Sequence, residues 1–408
     1  MRRLLDVESV RKDFPILRGV VVYLDSASSA LTPEPVLAKM LEFYHEFRAN
    51  VGRGPYEFSR KATQEYEASR EKIARFINAR SKNEIVFTRN TTEGINLVAN
   101  GLKWRQGDKV VTTLIEHHSD FIVWLRAKQR HCITIEVMEP KKSAINRDLD
   151  LSDFERTIDD KTKIVAMAHI SNVLGTVEPV EEIAEMAHSH GAYLLLDGAQ
   201  SVPHIKVDVQ RIGCDFMAFS GHKMCAPTGC GVLYIRQELA DQVEPLCIGG
   251  GTILDVNVGD YTLDSCPARF EAGTPAIAEV LGLGAAVDYL SNIGMQNIED
   301  HERELSSCMT EGLEGINGVS LYGEGTGRRI ALQCFNVDGL SPMETANKLE
   351  KSAGIMVRAG HHCALPLIKN LAGKMGTVRA SAYLYNTEQE ITRLVDEVRI
   401  IARASSHP

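Results

Sequence analysis

The sequence predicts an α/β fold, a mainly parallel central sheet covered by helices, followed by a smaller α+β unit. Three observations carry that prediction. From residue 84 onward, short apolar runs alternate with amphipathic stretches, the pattern of β-α units in a parallel sheet. Two of these runs, 193–196 and 216–219, deliver polar residues just past their carboxyl ends: Asp197 after the first, and Ser220, His222 and Lys223 after the second. In open α/β sheets that edge is where ligands bind. After residue 275 the alternation stops, and a long helical stretch gives way to mixed strands and helices.

Taken in order, residues 6–13 predict a short helix and 20–24 an extended run. Pro33 and Pro35 suit a helix start, and Val36, Met40, Phe43 and Phe47 are spaced for a helix over 36–48. A Gly-rich loop, N-V-G-R-G-P-Y, separates it from a charged amphipathic helix over 63–77. Strands are expected at 84–88, 109–113, 132–138 and 163–168, with helices at 95–102 and 180–190, the latter stopped by Gly191. The run 231–235 closes the region as an antiparallel or edge strand. Beyond P-A-R-F-E-A-G-T-P come helix 276–316, strands 319–322 and 330–337, helix 342–353 and strand 378–383. The last helix opens on a capping box, Thr387-x-x-Glu390. A boundary near 285 gives a large domain of 20–285 and a small one made of 1–19 and 286–408.

A length of 408 residues suits two domains, and 44% hydrophobic with 24% charged residues is ordinary for a globular chain. A net charge of −9 argues against nucleic acid as a main partner. The amino terminus has no continuous apolar core of a secretory signal, and no run reaches membrane-spanning length, so a soluble cytoplasmic protein is expected. Nine cysteines, an odd count without C-x-x-C, suggest reduced thiols. Cys225 and Cys230 lack a matching second pair, and no metal is expected.

An acid and a lysine on neighbouring strand ends suit pyridoxal phosphate (PLP), whose aldehyde is held by a lysine amine and whose ring nitrogen takes an acid partner. R-N-T-T-E-G, between a strand and a helix start, offers backbone N–H groups and the hydroxyls of Thr91 and Thr92 to a phosphate, with Ser220 and His222 as further donors. His117, in E-H-H, can stack on a planar ring and move protons. Asn172 and Gln200 are either partners for the cofactor's ring oxygen or turn residues. In R-A-G-H-H-C-A-L-P, Cys363 stands in a short loop beside His361 and Arg358, and an imidazolium or that arginine would raise its thiolate fraction. Cys363 is the candidate nucleophile. Arg379 is either a bidentate clamp for a substrate carboxylate or half of a structural ion pair.

With T-T-E-G-I-N-L-V-A, S-N-V-L-G, D-G-A-Q, S-G-H-K and R-F-E-A-G-T-P, these motifs resemble the class V branch of fold-type I PLP enzymes over almost the whole chain. The branch has the aspartate aminotransferase-like fold, and the R-x-G-H-H-C-A loop is most similar to the SufS-like (group II) cysteine desulfurases. The resemblance implies that Lys223 holds PLP and shuttles a proton, that Asp197 pairs with the ring nitrogen, and that His117 stacks on the ring. It implies that Asn172 and Gln200 contact the ring oxygen, and that Thr91, Thr92, Ser220 and His222 hold the phosphate with Thr274 from the second subunit of a homodimer. Arg379, Asn172, Arg358 and His361 fall to the substrate, L-cysteine, and Cys363 takes its sulfur as a persulfide. That sulfur would pass to an acceptor of iron–sulfur cluster assembly: a SufE-like or SufU-like protein, or a SufBCD-like scaffold. Alternatives are a selenocysteine lyase, another class V lyase or transferase, and a scaffold subunit that keeps the fold without the chemistry. The chain departs from the family at Gly52 and Tyr56, which stand where H-R-G-x-H is usual.

Overall fold

The computed structural model describes residues 5–19, 21–140, 149–323, 328–373 and 375–405. Val20, which opens the expected run 20–24, and residues 1–4 of the expected small domain lie outside them. The strands in chain order are β1 (Val22–Tyr23), β2 (Ile85–Thr88), β3 (Lys109–Thr113), β4 (Thr134–Met138), β5 (Thr162–Ala168), β6 (Tyr193–Asp197), β7 (Phe216–Ser220) and β8 (Gly231–Ile235). They continue as β9 (Ile253–Asn257), β10 (Asp260–Leu263), β11 (Val319–Tyr322), β12 (Leu332–Val337), β13 (Ile355–Met356), β14 (Arg358–Gly360) and β15 (Thr377–Ser381).

The central sheet runs β2-β8-β7-β6-β5-β3-β4. The five strands from β7 to β4 are parallel, and β8 is antiparallel to both its neighbours. The run 231–235 is thus antiparallel as expected but interior, with β2 beyond it. Its five residues are all buried, which only a strand covered on every side can satisfy.

Alternation along the strands sets which face each functional residue meets. Leu194 and Leu196 enter one core with Met217 and Phe219. Leu195, Phe216 and Ala218 enter the other, with Ile95 and Val98 of the helix Thr91–Gly101. Asp197 and Ser220 continue the second phase, so both reach the end of the sheet on the side of that helix. Each large apolar side chain so buried contributes about 1.5–3 kcal/mol, which fixes the register that aims them.

Several helices differ from expectation. The helix expected at 63–77 is Glu57–Phe76, starting directly after Pro55 and Tyr56. The helix expected at 95–102 is Thr91–Gly101, capped by the Asn90 side chain on the Glu93 N–H. The stretch 276–316 is two helices, Ile277–Ile293 and Met295–Glu314, parted at Gly294, whose φ of 92° glycine adopts readily. Residue 285 lies inside the first of these, which packs on the helices Glu34–Glu46 and Glu57–Phe76. The helices His118–His131 and Leu365–Ala372 and the β9–β10 hairpin were not expected.

The second sheet, β11-β12-β15-β14, is antiparallel and carries its own core with Leu305, Leu394 and Val398. The chain's start is tied to it, since β1 pairs in parallel with β13 and Asp25 bridges to Ser381. The amino-terminal Y-L-D-S motif is therefore brought beside Arg358 and Arg379.

Candidate active site

A cavity of about 460 Å³ lies where the carboxyl ends of β6 and β7 face the second sheet. Asp197, Lys223, His117, Asn172, Thr91, Thr92, Ser220, His222, Arg358, His361, Cys363 and Arg379 all line it. Of the residues expected at the site, Gln200 and Thr274 are not in its wall.

Asp197 ends β6 and is 6% exposed, with one oxygen accepting the Ala199 N–H at 2.9 Å. Burial raises its pKa and the nearby Lys223 ammonium pulls it back. Lys223 closes the short turn Gly221–Lys223 after β7. Its pKa is lowered by burial, against the pull of Asp197, and Arg379 lowers it further. That is the direction an amine needs to become a nucleophile near neutral pH. Burial raises the pKa values of Glu116 and Asp120 above their ordinary values, helped by repulsion from Asp120 and Asp197 at Glu116 and from Asp197 at Asp120.

At the other end of the cavity the helix Thr91–Gly101 presents its first turn. The Thr91 N–H donates to Ser220 Oγ at 2.8 Å, and the two hydroxyls are 2.6 Å apart. The Thr92 hydroxyl meets Ser119 Oγ at 2.7 Å. Ser119 was missed by sequence reading, although it directly follows the E-H-H motif. Four hydroxyls, of Thr91, Thr92, Ser119 and Ser220, with the His222 imidazole in the same wall, suit a phosphate group at a helix amino terminus.

His117 caps the helix His118–His131: its Nδ1 accepts the Ser119 N–H at 3.1 Å, so the ring proton sits on Nε2. Burial, with the charge of Lys223, pushes its pKa down to about 3, and it is neutral at working pH. A neutral ring facing the cavity fits stacking on a flat cofactor. Gln200 is 2% exposed, donates to the Ala27 carbonyl at 2.8 Å and leaves its own buried Oε1 without a partner.

Asp25, which the sequence reading left without a role, ties together the two arginines of the cavity wall. It accepts from Arg358 Nη2 at 2.8 Å and from Arg379 Nη2 at 3.5 Å. Arg379 also donates from Nη2 to Ser28 Oγ at 2.7 Å and from Nη1 to the Asn172 carbonyl at 2.9 Å. Its buried Nε–H has no partner. Arg379 is thus half of an ion pair with Asp25 and keeps one buried donor without a partner.

Cys363 is exposed at the cavity mouth, between β14 and the helix Leu365–Ala372. His362 and Cys363 both have left-handed backbones, with φ of 52° and 55°, at a cost of about 1–3 kcal/mol each. Burial drives His362 down to about 3 and also lowers His118, while Arg358 and Lys223 are the cations on which Cys363 acts. Among the nine cysteines Cys363 alone lines the cavity; Cys214, Cys225, Cys230 and Cys334 are buried thiols whose pKa values burial raises.

Thr274 is exposed in a second cavity of about 720 Å³, together with Gly52, Arg53, Gly54 and Tyr56 of the loop where the chain departs from the family pattern. Among the described residues no group of three or more His, Cys, Asp or Glu side chains could hold a metal ion. The donor set of the first cavity fits PLP: a buried acid, a lysine of lowered pKa, a neutral imidazole and a hydroxyl cluster at a helix start.

The Aminotransferase class-V family model matches residues 22–394. A probable cysteine desulfurase of Methanothermobacter thermautotrophicus is 45% identical, covering 97% of this chain and 98% of its own. Among solved structures, the apo form of a cysteine desulfurase from Thermococcus onnurineus NA1 is 44% identical with a TM-score of 0.93, covering 99% of both chains. The cysteine desulfurase CsdA of Escherichia coli is 33% identical with a TM-score of 0.90, covering 98% of this chain and 100% of that one. With the matched region spanning both sheets and the whole first cavity, the chain belongs to the aminotransferase class-V family.

Proposed function

We propose that this protein is a PLP-dependent cysteine desulfurase that converts L-cysteine to L-alanine and takes the sulfur onto Cys363. The observation that carries the reading is that one exposed thiol shares a cavity with Lys223 and Asp197. Relatives called cysteine desulfurases, similar along nearly the whole chain, support it.

When bound, PLP supplies an electron sink for the substrate's Cα and Cβ. Lys223 and Asp197 would hold it, His117 would cover its ring, and Thr91, Thr92, Ser220 and His222 would take its phosphate. Arg379 orients the substrate through its carboxylate, using the free Nε–H and the Nη2 that now meets Ser28. Lys223, deprotonated more easily than an ordinary lysine, accepts the Cα proton. The Cys363 thiolate attacks the substrate sulfur: an S–S bond forms, the C–S bond breaks, and the electron pair left on carbon is protonated to give alanine.

The short loop from Gly360 to the helix at Leu365 supports the group II, SufS-like assignment. Nine free cysteines support a reducing, cytoplasmic setting, and among the described residues no helix is long and apolar enough to cross a membrane. The exposed thiol suits handing the persulfide to an acceptor protein of iron–sulfur cluster assembly. Thr274 on a separate surface suits a homodimer in which it serves the other chain's phosphate. The test is an alanine and sulfide assay on L-cysteine with added reductant, run beside Cys363→Ala. Equal alanine release from the two proteins would overturn the reading.

A further inference from the structure

His118, one residue past the imidazole that covers the cofactor position, grips both sides of the cysteine loop. Its backbone N–H donates to the Cys363 carbonyl at 2.6 Å, and its Nε2 accepts the Leu365 N–H at 3.0 Å. Between these two bonds lie Cys363, with its left-handed backbone, and Ala364, whose N–H returns to the His361 carbonyl at 2.8 Å. A backbone so disfavoured persists only where surrounding bonds over-determine it. The other contact from the cofactor side is Asn172 Nδ2 on the His362 carbonyl at 2.8 Å. Because His118 is the first residue of the helix His118–His131, whose cap is His117, the loop and the stacking ring are positioned by the same turn.

We propose that His118 is a positioning residue that holds Cys363 at the attack distance from the substrate's sulfur, linking the nucleophile's loop to the cofactor wall. The inference rests on the desulfurase reading for its consequence in catalysis, but the grip itself does not. Lowering of the His118 pKa by burial is consistent with an imidazole that must stay neutral to accept an N–H.

Two substitutions separate the two bonds. His118→Ala removes the acceptor and keeps the backbone donor. His118→Pro removes both, and proline suits this position because it is the first of a helix and follows an extended residue, His117 with φ −62° and ψ 148°. Hydrogen exchange at the Leu365 amide should quicken tenfold or more in both holoenzyme variants. Alanine formed in a single turnover should slow tenfold or more, further in His118→Pro. The cofactor's absorbance and the denaturation midpoint should match wild type, and His118→Gln, which restores an acceptor, should recover both readouts. Wild-type exchange at Leu365, or slowed turnover with the loop still protected, would overturn the proposal. Should wild type itself form no alanine, the desulfurase reading falls while exchange alone decides on the grip: quickened upholds it, unchanged overturns it.

Discussion

Cys363 and Arg379 divide the chemistry at the level of single residues. Cys363→Ser should leave PLP absorbance and cysteine binding intact while alanine release drops at least a hundredfold, because a hydroxyl at neutral pH is a far weaker nucleophile than a thiol. Arg379→Lys keeps the charge but loses the planar fork that now reaches Asn172, Ser28 and Asp25. KM for cysteine should rise about tenfold, equivalent to about 1.4 kcal/mol, with a smaller change in kcat. His117 makes a stability prediction. Its folded pKa of about 3 lies below the ordinary 6.5, so from pH 6.5 down to about 3 the unfolded chain takes up a proton that the folded one refuses. Wild type should therefore lose up to about 1.4 kcal/mol per pH unit more than His117→Gln over that window, and nothing extra above it. Denaturant titrations of the apo proteins at stepped pH measure the difference. Motif identity made Lys223, Asp197 and Cys363 legible in sequence. Asp25 was not, because its two arginine partners lie more than three hundred positions away.

Strand–helix junctions carry the residues proposed to hold the cofactor, and their legibility follows from how local their causes are. β6 and β7 could be read because uninterrupted apolar runs ended on polar residues. The helix His118–His131 could not, since its buried set of Val123, Trp124 and Ala127 is too narrow to stand out among charged neighbours. β8 read as an antiparallel or edge strand; it is antiparallel but interior, and Gly231 shows why. A Cβ there would stand 2.7 Å from Asn90 Cα and 2.8 Å from the Phe219 carbonyl oxygen. The glycine lets β8 close up against the residue that caps the phosphate-facing helix. Gly231→Ala should cost about 1–3 kcal/mol by overpacking. It should also weaken PLP binding at least tenfold by displacing Asn90, as measured by denaturation midpoint and by PLP titration of the apo protein.

For the molecule as a whole, the separation of Thr274 from Lys223 within one chain leads to a mixed-dimer experiment. A dimer of one Lys223→Ala chain and one Thr274→Ala chain should hold one intact PLP site if each site borrows Thr274 from its partner, and none if Thr274 serves its own chain. PLP affinity of the one Lys223-bearing site decides between them: tighter than in a protein with Thr274→Ala in every chain if Thr274 comes from the partner, equal to it if Thr274 serves its own chain. The amino-acid sequence alone determined the α/β class, the edge of the sheet that carries the cavity, and the acid, amine and thiol that line it. These are written in short-range periodicity and in motifs of a few residues. Tertiary structure decided the rest: Asp25 between two arginines, the interior place of β8, the neutral state of His118 and His362, and the grip on the Cys363 loop. Each of these depends on burial or on partners far along the chain, and both come into being only when the two sheets close on each other.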